Sequence, residues 1–252
     1  MRTHASLLRR PYIYPHRSAR MLPRVSRRFA GGVAASVILT FAIWRYLESL
    51  VMVHNAIAFT LVELARVRDV RAIDTVVLGR TIPVLVTAPG PIAPWVAYGA
   101  VAVIAAALIV LAFRVPLARG IATFVLAILG LSALAYRLQA PGLSEYATFP
   151  VVWTHTELLV WLVLPSMSAL LFVTVQPSWV RGIGWMVAIE AFAIFWSAAR
   201  LVVVLGTART FGSVLLPPLW LVWGPLADVL YLTAFFSMAV HVNLRLTPER
   251  RR

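Results

Sequence analysis

Few side chains in this sequence could do chemistry, and they fall in a small number of places. Thr154, His155, Thr156 and Glu157 are consecutive within the otherwise apolar stretch VVWTHTELLVW, and Arg200 and Arg209 come at the end of a later apolar segment. A carboxylate, an imidazole and a guanidinium brought together in partial burial could transfer protons or stabilise an oxyanion. On a straight helix His155 and Glu157 point about 200° apart, so they cannot both face one site. The plainer reading is that His155 sits at an interface and Glu157 neutralises an arginine.

Three other polar placements matter. Arg45 and Glu48 are three residues apart in an apolar segment, on one helix face, and are spaced to pair. Glu190 and Arg200 share a face but lie about 15 Å apart along a helix and do not touch. Glu190 and Asp228, on different segments at similar depth, could form a proton-coupled pair or be satisfied within a helix bundle.

Other chemistries have little support. The sequence has no cysteine, which removes disulfides, thiolate metal sites and thiol nucleophiles. Its five histidines stand at 4, 16, 54, 155 and 241, so no two have helical ligand spacing, and no metal site is expected. There is no phosphate loop, serine elbow or dinucleotide fingerprint. Cofactors stay open: His54 or His155 could serve as a single axial haem ligand, and pigments or lipids are compatible with the composition.

The elements that must hold these residues are membrane helices. Of 252 residues, 61% are hydrophobic and 13% charged, and the mean hydropathy is +0.87. At about 20 apolar residues per crossing, the length accommodates about six spans. They are expected at 32–53, 94–113, 120–136, 151–174, 182–205 and 214–240. Between the first two, residues 68–93 are rich in β-branched residues around Gly79 and end in a Pro/Gly cluster, which predicts a short hairpin-like excursion outside the membrane. The expected fold is an all-α polytopic bundle forming one domain over 32–240, with basic cytoplasmic tails at 1–31 and 241–252.

All 23 basic residues are arginine, giving a formal charge of +14. Eight lie within the first 28 residues and four within the last eight. This positive-inside distribution predicts both termini on the cytoplasmic side of a cell membrane, with the tails touching anionic headgroups. The outer face is more basic than usual, carrying Arg66, Arg68, Arg71, Arg80, Arg137 and Arg209. Nucleic-acid binding is not expected, since only flexible tails would carry it.

The C-terminal half resembles the exosortase/archaeosortase family of membrane-embedded cysteine transpeptidases. The resemblance lies in the order of parts in TFPVVWTHTELLVWLVLPSMSALLFVTVQPSWVRGIGWMVAIEAFAIFWSAARLVVVL and then PLWLVWGP. It implies that Arg200 matches the family's catalytic arginine, with Ser197 where asparagine is usual. The family's nucleophilic cysteine would fall between Thr154 and Leu159, where there is none, and its histidine at Leu219, four residues before Trp223. The resemblance therefore implies the scaffold without thiol chemistry, unless Thr156 replaces the nucleophile with His155 as its base. Three functions are compatible with these residues: a non-catalytic subunit of a larger membrane complex, an intramembrane transpeptidase or protease using Thr156, His155 and Arg200, and a proton-linked transporter using Glu190 and Asp228.

Overall fold

A computed structural model describes residues 22–87, 94–116, 119–138, 145–175 and 178–246. Of the expected tails 1–31 and 241–252, residues 1–21 and 247–252 lie outside these residues. The described chain is mostly helical: α1 (Leu22–Arg45), α2 (Leu47–Leu64), the strands β1 (Val70–Val77) and β2 (Arg80–Thr87), α3 (Pro94–Arg114), α4 (Arg119–Leu138), α5 (Glu145–Val175), α6 (Trp179–Phe211), α7 (Leu216–Leu221) and α8 (Ala227–Leu246).

Among the described residues, Leu47–Leu64, Trp95–Arg114, Trp179–Phe211 and Leu216–Val242 are long and apolar enough to cross a membrane. Phe29–Arg45 and Arg119–Leu134 are shorter apolar helices. The long apolar helices are those of a membrane protein.

The expected first span, 32–53, is not one straight helix. Helix α1 starts at Leu22, earlier than the expected tail boundary, because Pro23 is tolerated in a first turn whose N–H groups need no intrahelical acceptor. At Tyr46 the backbone leaves helical geometry (φ −104°, ψ 17°). The i→i−4 ladder continues across it, from Tyr46 N to Ala42 O at 3.0 Å and from Leu50 N to Tyr46 O at 2.9 Å. The result is a bend that lays α1 against α5 and α2 against α6. Helices α1 and α5 run antiparallel, tied where Thr40 Oγ1 donates to Leu162 O at 3.2 Å.

The hairpin forms as the sequence predicts, with Val77 opposite Arg80 across the turn. Leu78 and Gly79 both have positive φ (50° and 75°), the geometry of a type I′ turn, whose twist matches that of the flanking strands. The hairpin is not a free excursion. Ile82, Val84, Leu85 and Val86 of β2 are buried among residues of α2, α5 and α6, whereas Arg71 and Asp74 of β1 are exposed. Asn55 Nδ2 donates to Pro83 O at 2.8 Å, and at the tip Arg80 lies over the Trp44 ring at 4.7 Å.

Beyond α6 the chain breaks repeatedly where one continuous span was expected. A 3-10 turn (Gly212–Leu215), α7 and a π-turn (Val222–Leu226) precede α8. At Gly224 φ and ψ are −89° and −106°, outside helical values, immediately before Pro225, which has no N–H to continue the ladder.

Candidate functional site

The centre of the bundle holds one arginine surrounded by acceptors. Helix α6 begins at its N-cap Ser178, whose Oγ accepts from Arg181 N at 3.3 Å, and then buries a stripe at helical spacing that includes Met186, Glu190, Ala193, Ser197, Arg200 and Val204. Arg200 is only 1% exposed. Its Nη2 donates to Glu157 Oε2 of α5 at 2.6 Å, and its Nη1 to Asp228 Oδ1 at the start of α8 at 2.8 Å. Nη1 also reaches Trp223 O at 2.9 Å and Gly224 O at 3.2 Å.

Those last two bonds depend on the break at Gly224. Inside a regular helix these carbonyls would be turned along the axis toward N–H groups four residues on; the non-helical Gly224, pushed out of the helical region by the ring of the following Pro225, turns them toward the guanidinium. The Trp153 ring adds a face to the same group, 5.9 Å from its carbon. The cluster carries one positive and two negative formal charges, and Arg200 fastens three helices that are distant in sequence. Charge-assisted bonds of this length are strong once water is excluded.

The sequence-derived candidates divide sharply around this centre. Glu157 and Arg200 converge as expected. Asp228, expected as a partner for Glu190, instead bonds Arg200. Glu190 is 5% exposed, and neither of its oxygens has a hydrogen-bond partner among the described residues. His155 is half-buried, and Thr156 Oγ1 donates to Val152 O of its own helix at 3.0 Å. Neither joins Arg200 in an ion pair or hydrogen bond. Arg209 pairs with Asp69 at 2.5 Å, away from the central cluster.

Arg45 and Glu48 do not pair with each other. The bend at Tyr46 redirects them: Arg45 lies 5.8 Å from the Tyr46 ring, and Glu48 accepts from Arg80 at 3.4 Å. With Glu48 56% exposed at its side chain, that contact adds little stability.

A second polar contact had no counterpart in the sequence reading. His54 Nδ1 and Asn55 Oδ1 are 3.2 Å apart and buried, and the imidazole meets Trp161 edge-on with centroids 5.4 Å apart. The adjacent His-Asn pair, flanked by apolar residues, is the only signal of it in the sequence. Among the described residues no three His, Asp or Glu side chains gather into a group able to hold a metal ion. No protein-family model, curated protein or solved structure matches the chain.

Proposed function

We propose that this protein is a non-catalytic multi-pass membrane subunit, exosortase-like in scaffold, that works through assembly with other membrane components. The observation that carries this reading is the closure of the Arg200 site. The guanidinium is 1% exposed, its two terminal nitrogens are bonded to carboxylates and carbonyls, and Nε, without a partner among the described residues, is itself buried, so a substrate oxyanion has no open path to it. A Thr156 hydroxyl turned onto its own helix and a His155 outside the cluster do not form a nucleophile–base pair.

The proposed topology has six crossings, the first over 32–53 across the bend between α1 and α2 and the others by α3, α4, α5, α6 and α8, with both termini cytoplasmic and the tails on anionic lipid. At 1.5 Å per residue each of the latter helices is at least about 30 Å long, the thickness of a hydrocarbon core. The exposed edge of β1, with Arg71 and Asp74, needs water for its backbone groups and supports placing the hairpin outside the hydrocarbon.

The deciding experiment is purification from the native membrane in mild detergent, with mass-spectrometric identification of every stoichiometric component. Recovery with a fixed set of membrane proteins supports the reading. Recovery as a lone chain counts against it, and loss of a cellular processing activity in both Thr156→Val and His155→Ala would establish the transpeptidase alternative.

A further inference from the structure

Away from Arg200, at the end of the bundle opposite the starts of α1 and α6, the C-termini of α2 and α6 enclose a cleft of about 500 Å³. Its walls carry Arg66, Arg68 and Arg209 with the hydroxyl-bearing Thr207 and Thr210. Arg209 is paired with Asp69, so the excess of positive charge in the cleft comes from Arg66 and Arg68. A second cavity of about 310 Å³, almost wholly apolar, lies between α3, α4, α6 and α7 and is lined by Ile104, Val125, Leu129 and Leu219, among others. Thr207 and Phe211, one turn apart on α6, line both. A cationic chamber therefore adjoins an oily one.

The connection after α2 is tightly turned. Helix α2 ends with Arg66 N bonded to Glu63 O at 3.1 Å and Val67 N to Val62 O at 3.1 Å, a closing turn that places Arg66 in the left-handed region at φ 54°. Glycine is the usual residue there, because a side chain carries a conformational cost. Asp69, three residues on, is left-handed too at φ 58°, so both ends of this short connection are set by the turn.

We infer that the paired cavities bind an anionic amphiphile, with a phosphate headgroup against Arg66, Arg68 and Arg209 and an acyl chain passing Phe211 into the apolar cavity. Arginine forks suit phosphate oxygens, and the apolar chamber distinguishes a lipid from free phosphate.

The test uses the full-length protein in detergent and titrates three probes by calorimetry: dioctanoyl phosphatidic acid, dioctanoyl phosphatidylcholine and inorganic phosphate. Phosphatidic acid should bind at one per chain, at least about tenfold tighter than either other probe, since only it satisfies both chambers. Arg66→Gln and Arg68→Gln should each weaken it about fivefold. Leu129→Trp, which fills the apolar cavity, should weaken the lipid and leave inorganic phosphate unchanged. Equal affinity for all three probes, phosphate binding as tightly as the lipid, or lipid affinity unmoved by these variants in protein that melts like the wild type would each overturn the inference.

Discussion

Removing Arg200 tests whether the central cluster is a fastening. In Arg200→Ala, buried Glu157 and half-buried Asp228 lose bonds of 2.6 and 2.8 Å and are left as like charges without their counter-ion, while the carbonyls of Trp223 and Gly224 lose a donor. With charge centres about 4 Å apart and an effective dielectric near 20, each ion pair is worth about 4 kcal/mol in Coulomb energy. Much of that is offset by desolvation of the ions, so the two pairs do not simply add; breaking a buried pair typically costs about 3–5 kcal/mol. The expected loss is in that range, near its upper end because two acids are stranded. The control is Arg200→Met with Glu157→Gln and Asp228→Asn, which deletes all three charges at similar volume. It should recover at least about half of the loss, because the uncompensated carboxylates cause most of it. Both variants can be unfolded in mixed detergent–SDS micelles and followed by tryptophan fluorescence. Wild-type stability in Arg200→Ala, or a triple variant weaker than the single one, would refute the fastening argument.

Other positions give separate tests. Glu190→Met should raise stability by roughly 1–3 kcal/mol, since it removes a buried carboxyl without a partner among the described residues; equilibrium unfolding reads this, and destabilisation would reveal a partner for Glu190. Arg66→Gly should stabilise the fold by about 1 kcal/mol by relieving the left-handed residue while weakening lipid binding, so a melt and a titration should move in opposite senses. Asn55→Ala strands Pro83 O and should cost about 1–2 kcal/mol locally, visible as faster hydrogen exchange across 70–87 with little change in α8. Unchanged exchange there would mean that apolar packing alone holds the hairpin.

Periodicity and punctuation made part of this structure legible in the sequence. The β-branched runs around Gly79 announce the hairpin, and the single charges in apolar stretches announce Glu157 and Arg200 as partners. The docking of β2 is less visible, although IPVLV is apolar without alternation, the pattern of a strand covered on both sides. Asp228 and Glu190 read from the sequence as similar in depth, but α8 meets α6 with Phe192 against Tyr231 and Phe235, which sets Asp228 at the level of Arg200 instead. The bend at Tyr46 has no glycine or proline to mark it; it arises where α1 leaves α5 and α2 meets α6. It also separates Arg45 from Glu48, whose spacing suits pairing only on a straight helix.

The order in which the cluster's members occur along the chain bears on how the protein is made. Synthesis delivers Glu157 first, Arg200 43 residues later and Asp228 after a further 28. At about 5–20 residues per second, α5 waits roughly 2–9 s with an unmatched acid before α6 supplies its counter-ion. A lone acid in a nascent span opposes insertion by a few kcal/mol, and Arg200 of α6 offsets the charge of Glu157 when the two helices meet. Asp228 then arrives last, at a site where the arginine is already in place. On the proposed topology, the ion cluster would set an order at the insertion machinery, with α5 and α6 released together and α8 closing behind them.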